Sequence, residues 1–166
     1  MPEYYDGGKL LSLMDLHGNK PEIFVSTSNR SAGKTTFFNR WAIRRWLRKR
    51  EKFALLYRYN YELPDADEQF FKDIRELFFS AYRMRSEKRG NGVYYELFIG
   101  GVDDADEEME SCGYALALNY ADQYKKKSHL FSDVTKIIFD EFQSETNHYC
   151  PNEIQKLLSI HTSIAR

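Results

Sequence analysis

Ile23-Phe24-Val25-Ser26-Thr27-Ser28-Asn29-Arg30-Ser31-Ala32-Gly33-Lys34-Thr35-Thr36 decides the reading of this chain. Three apolar residues give way to a small, polar, glycine-bearing stretch that ends in Lys34-Thr35. This is the pattern of a phosphate-binding loop. Backbone N–H groups curl around phosphate oxygens, a lysine reaches the terminal phosphates, and a hydroxyl faces Mg²⁺. The pattern predicts a core strand over residues 22–27 and a helix from 34 to about 52, whose positive N-terminal end faces the phosphates. Ser28 stands where such loops usually begin with glycine, the residue that tolerates any backbone conformation. On this reading Ser28, Asn29, Arg30, Ser31, Ala32, Gly33, Lys34, Thr35 and Thr36 bind a nucleotide. The alternative is a solvated Ser/Asn/Gly turn before an ordinary helix.

About a hundred residues later, Lys136-Ile137-Ile138-Phe139-Asp140-Glu141-Phe142 supplies what such a loop requires. A buried strand over 135–139 pushes two carboxylates out at its C-terminal end, where open parallel sheets bind ligands. Asp140 is suited to hold the water shell of a Mg²⁺ whose other protein ligand is the Thr35 hydroxyl. Glu141 is placed to polarise the attacking water, which favours hydrolysis over phosphoryl transfer to a metabolite. An exposed acid at a strand end is the bland reading of the same residues. Arg30 is not needed to cradle phosphate. It can add charge against the γ-phosphate, pair with a carboxylate, or lie in solvent.

The remaining chain reads as one domain. At 166 residues it is long enough for a sizeable core, and 42% hydrophobic with 30% charged residues argues against disorder. The 12 Tyr and 12 Phe hint at interfaces. A net charge of −1 means that any nucleic-acid contact must come from local basic clusters. Cys112 and Cys150 lack metal-ligand spacing and read as two reduced thiols. The N-terminal MPEYYDGG is no signal peptide, and no apolar run approaches the ~20 residues of a membrane span. The expectation is a soluble intracellular protein without membrane contact.

Residues 53–59 read as a second buried strand and 65–83 as a helix with acids in its first turn. Beyond the Gly90-Asn91-Gly92 break, 93–99 and 113–118 read as a hairpin joined by a solvated acidic loop. That loop lacks the alternating ligands and sixth-position glycine of a calcium loop. Residues 119–134 read as polar and partly helical, with Lys125, Lys126 and Lys127 near the middle, and a last helix begins near Pro151.

Several of these stretches, in order, resemble one family. They are SNRSAGKT (28–35), FALLYRYNYEL (53–63), the hairpin ending in GYALAL (113–118), VTKIIFDEF (134–142) and YCPNEIQKLLS (149–159). The chain is similar to the ATPase domain of DNA-encapsidation proteins, the packaging motors of small protein-primed podophages of the phi twenty-nine type. The resemblance covers most of 22–166. It departs at Ser28 and Ser31, where the family tends to place glycines, and at the acidic expansion 102–110. It implies a subunit of a homomeric ring, a pentamer, at the portal vertex of the empty capsid in the host cytoplasm. Such a ring hydrolyses ATP with Mg²⁺ to translocate double-stranded DNA, with a structural packaging RNA as a further partner. Lys34, Thr35, Asp140 and Glu141 keep the roles argued above, and Arg30 falls on the family's loop arginine. Arg166 falls where an arginine reaches the neighbouring subunit's site, a finger worth ~10³-fold or more in rate.

The expected fold is therefore α/β: a P-loop NTPase of the additional-strand, catalytic-glutamate (RecA- and terminase-like) type. It has a mostly parallel central sheet flanked by helices, with a β-hairpin insertion. In such ATPases the strand after the carboxylate pair usually inserts between the first and third strands. The chain stops at Arg166, so residues 1–166 read as an N-terminal ATPase domain that ends before the sensor strand and a C-terminal domain. Lys125, Lys126 and Lys127 are the expected DNA contacts, through phosphates and without sequence readout. The ridge Arg40, Arg44, Arg48 reads as surface or subunit interface. Two rivals stay open: another motor of this fold, such as a helicase loader or terminase-like ATPase, and a scaffold in which ATP is a structural clip between subunits.

Overall fold

Phe53-Ala54-Leu55-Leu56 is apolar at every position because both of its faces are covered. These residues form most of β1 (Lys52–Tyr57), which runs parallel to β4 (Glu110–Ala117) on one side and to β5 (Val134–Ile138) on the other. Alternate side chains of a strand point to opposite faces. Phe53 and Leu55 accordingly join one buried cluster, and Ala54 and Leu56 a second. The computed structural model describes residues 11–27 and 33–164.

The first cluster is closed by α1 (Lys34–Lys49), through Ala42, Ile43 and Trp46, and by α2 (Ala66–Phe78), through Phe70, Phe71 and Ile74. The second is closed by α3 (Ala121–Lys126), through Ala121 and Tyr124, and by α4 (Glu153–Ile164), through Ile160 and Ile164. The result is a sheet between two helical layers, the α/β arrangement that the sequence predicts. The sheet has five strands in the order β2-β3-β4-β1-β5, where β2 is Tyr82–Arg89 and β3 is Tyr94–Gly101. It is mixed. The pairings β1·β4 and β1·β5 are parallel, whereas β2·β3 and β3·β4 are antiparallel.

Close approach of β1 and β4 depends on one glycine. Gly113 lies opposite Phe53, and a Cβ there would stand 2.2 Å from the Phe53 carbonyl oxygen. No side chain fits in that space without separating the strands.

The sheet is thus not mostly parallel as expected, because β2 and β3 add two antiparallel pairings, and three further expectations need correction. The strand predicted over 22–27 is absent: Ile23, Phe24 and Val25 are 55%, 39% and 66% exposed and pair with no strand. Ladder hydrogen bonds make a strand, and apolar residues without a neighbouring edge do not. The helix predicted over 65–83 stops at Phe78, and Tyr82–Arg89 is a strand at the sheet edge. Its arginines and lysine disguise it, yet charge is what an edge strand needs to discourage pairing with other chains. Finally, the predicted hairpin partners do pair, Tyr95 opposite Ala115, but they are not an insertion: β4 joins β1, so the hairpin extends the central sheet.

The acidic connection between β3 and β4 is tied down rather than loose. Arg83 donates to the Asp104 carbonyl (2.6 Å) and to the Asp106 carboxylate (2.7 Å). Cys112 and Cys150 are both buried free thiols, as expected.

Candidate functional site

The C-terminal ends of β1 and β5 lie side by side, with Leu55 opposite Ile138, and the chain leaves β5 through Phe139, Asp140 and Glu141. Helix α1 points its N-terminus at the same place. Gly33 precedes it in the left-handed region (φ +75°), where glycine carries no Cβ penalty, and its carbonyl accepts the Phe37 N–H at 2.9 Å. The first turn of α1 holds Lys34, Thr35 and Thr36 and no acidic residue. Its helix dipole thus offers a positive end that suits an anion. One turn further, the buried Asn39 donates to the Phe70 carbonyl (3.0 Å) and fixes α1 to α2.

The two halves of the motif meet. The Thr35 hydroxyl donates to Asp140 Oδ2 at 2.6 Å across 105 residues of chain. Asp140 Oδ1 accepts the Glu141 N–H at 2.9 Å. Glu141 itself adopts φ +51°, a left-handed conformation that costs a non-glycine residue about 1–2 kcal/mol. Strain of this kind persists where surrounding contacts over-determine it, commonly at functional sites.

Thr35, Asp140 and Glu141 line one cavity of about 290 Å³ together with Asn39, Tyr57, Arg58 and Glu62. Burial, with the nearby Glu62 and Asp140 carboxylates, drives the Tyr57 hydroxyl far above the ordinary tyrosine range, so it stays protonated. Glu62 Oε2 accepts the Tyr59 N–H at 2.8 Å. A larger, shallower groove of about 510 Å³ on α2 sets Asp65, Glu68 and Asp73 against the single cation Lys72, the wrong charge for a polyphosphate.

Arg58 organises the rim. Its Nε and Nη2 donate to the two Glu153 carboxylate oxygens at 2.7 and 2.8 Å, and Nη2 also donates to the Phe142 carbonyl at 2.8 Å. Its guanidinium carbon lies 5.5 Å from the Phe139 ring centroid and 5.2 Å from that of Tyr149. Burial would raise the Glu153 carboxyl, but the Arg58 hydrogen bonds and the Cys150 N–H outweigh it and hold it below the usual range.

Thr35 and Asp140 together present a hydroxyl and a carboxylate, hard oxygen donors. Among the described residues no group of three or more His, Cys, Asp or Glu could cage a metal. A sparse oxygen set of this kind fits Mg²⁺, which keeps most of its waters and takes one or two protein ligands.

Of the predicted site residues, Thr35, Asp140 and Glu141 converge on the cavity, and Gly33, Lys34 and Thr36 sit at the adjoining helix start. Ser28, Asn29, Arg30, Ser31, Ala32 and Arg166 lie outside the described residues. Lys125 and Lys126 end α3 and Lys127 follows it. All three are exposed, on the helical layer opposite α1, and none lines the cavity. The arginine ridge is partly a packing feature, since Arg40 stacks on Phe78 at 4.0 Å. Arg58, Glu62 and Tyr57 escaped the residue-level reading. Their position directly after a buried strand, where open sheets bind ligands, was the available signal.

The chain is 25% identical over 139 residues to the DNA packaging proteins of Bacillus phage PZA and Bacillus phage phi29, covering 82% of this chain. It spans 36% of the length of these relatives. It shares its fold with the crystal structure of the N-terminal domain of the DNA packaging ATPase from bacteriophage phi29. The TM-score is 0.61 at 23% identity, over 85% of this chain and 63% of that one. The family model "Podovirus DNA encapsidation protein (Gp16)" matches residues 3–166, and the chain belongs to that family.

Proposed function

We propose that this chain is the ATP-hydrolysing part of a viral DNA-packaging motor of the phi29 type, with the P-loop NTPase fold of the additional-strand, catalytic-glutamate class. The observation that carries the reading is the 2.6 Å contact of Thr35 with Asp140, with Glu141 next in the chain and lining the same cavity.

The α1 N-terminus and the Lys34 ammonium hold the phosphates of ATP. Thr35 and Asp140 would hold Mg²⁺, which would neutralise phosphate charge there. The Glu141 carboxylate takes a proton from water as its oxygen attacks the γ-phosphorus; the bond to the β–γ bridging oxygen breaks, and ADP and phosphate leave. Tyr57, uncharged at working pH, adds no negative charge beside the leaving phosphate.

The ring, a pentamer at the capsid portal with packaging RNA as a further partner, belongs to the same proposal. So do Arg30 and Arg166 as charges that stabilise the transition state. Lys125, Lys126 and Lys127, exposed and outside the cavity lining, are the proposed contacts to DNA phosphates.

Glu141→Gln tests the hydrolytic core. In the full-length protein it should abolish capsid-stimulated ATP turnover, by about 10²-fold or more, while retaining ATP binding. A Glu141→Gln protein that packages DNA at the parental rate would favour the rival reading, in which ATP serves as a structural clip.

A further inference from the structure

Glu141 is held in its left-handed conformation from both sides. Before it, Asp140 Oδ1 accepts its N–H; after it, the Phe142 carbonyl accepts Arg58 Nη2 at 2.8 Å. The remaining bonds of that guanidinium go to Glu153, the first residue of α4, whose Oε2 also accepts the Cys150 N–H at 2.8 Å. Both side chains of the pair are only 11% exposed. One planar cation therefore joins three pieces of chain: the exit of β1, the turn that follows β5, and the start of α4.

We infer that Arg58 is a positioning residue that, braced by Glu153, fixes the 140–142 turn so that the Glu141 carboxylate faces the cavity; the inference rests on the hydrolytic reading above. Arginine is required for a geometric reason. A guanidinium can grip a carboxylate with two parallel N–H groups and still donate to a carbonyl, whereas a lysine ammonium is a point charge without that fork. Glu153 is suited to its part as well, since a carboxylate in the first turn of a helix meets the positive end of its dipole. Helix α4 packs along α3, which ends in the exposed lysines. The brace thus ties the Glu141 turn to the helical layer that the proposed function assigns to DNA.

Arg58→Lys in the full-length protein is the test, because it keeps the charge opposite Glu153 and removes only the fork. Turnover should fall by about 10-fold or more with KM for ATP changed less than about twofold, since a displaced base affects the reacting geometry rather than nucleotide binding. Hydrogen exchange of the 141–143 amides should quicken while the melting temperature stays near the parental value. Should Arg58→Lys fold poorly, Glu153→Gln takes its place with the same expectations for turnover and exchange, its melting temperature falling because Arg58 keeps its charge without a charged partner. A kcat within about twofold of the parent, or unchanged exchange at 141–143, overturns the inference. Glu141→Gln is the control: if it retains turnover, the hydrolytic reading fails, and the exchange measurement alone decides whether Arg58 holds the turn.

Discussion

Two short apolar runs lead to the two halves of the site, and they meet different fates. Ile137-Ile138 lies in β5, hydrogen-bonded to β1, with Ile137 against the α3 and α4 layer and Ile138 against the α1 and α2 layer. Ile23-Phe24-Val25 has comparable side chains but forms no strand, and its residues are 39–66% exposed. The difference is a neighbour. β5 finds the edge of β1, whose two faces are already buried, whereas 22–27 has no strand beside it among the described residues. Among the described residues it is held by side-chain contact, such as the Phe24 ring 5.8 Å from that of Phe38. Strand propensity is realised only where a partner supplies the ladder and a layer covers the face.

The ties to α4 show the same contrast. The turn after β5 is fastened through Arg58 and Glu153, both 11% exposed. The 22–27 run reaches α4 through Glu22 and His161 at 3.6 Å, with the Glu22 side chain 81% exposed. A pair open to water at one end is screened and contributes little. A largely desolvated pair joined by two parallel hydrogen bonds is costly to break by removing one partner.

Equal truncations in the two regions would break or sharpen this comparison. Phe53→Ala removes a ring that is 0% exposed, packed 5.2 Å from Phe70, on the strand that supports β5. It should cost about 3–5 kcal/mol in denaturant unfolding. Phe24→Ala deletes the same atoms from a 39% exposed position and should cost only about 1 kcal/mol, the worth of one aromatic pair. Equal losses for the two variants would mean that 22–27 is as firmly packed as the sheet.

The smallest effect concerns pH. The Glu153 carboxyl is held below its ordinary range, so the folded state binds that proton less readily than the unfolded chain. Its stabilisation is complete above the unfolded value, about 4.3, and is lost as pH falls through the lower folded value. Glu153→Gln should flatten the acid limb of the melting temperature against pH. An acid limb identical in Glu153→Gln and the parent would remove Glu153 from the account.

Much of the site was legible because its chemistry is local in sequence. Gly33-Lys34-Thr35 announces a helix start that binds anions, and Asp140-Glu141 after an apolar run announces carboxylates at a strand end. Their meeting at 2.6 Å comes from α1 packing on the sheet with its N-terminus beside the C-terminal end of β5. The edge strand β2 was hidden because alternating charge reads as a solvated helix tail, and only its pairing with β3 distinguishes the two. Arg58 was hidden because its partners lie 84 and 95 residues away.

The sequence by itself determined the residue types that chemistry needs, the family, and the apolar core of β1, because periodicity and motif spacing are properties of neighbouring residues. Tertiary structure alone decided which apolar run became a strand and how β4 entered the central sheet past Gly113. It also decided which arginine braces the turn that carries Glu141. Each of those outcomes depends on a partner far along the chain. Hydrogen bonds and burial, unlike helical or strand periodicity, exist only once that partner has arrived.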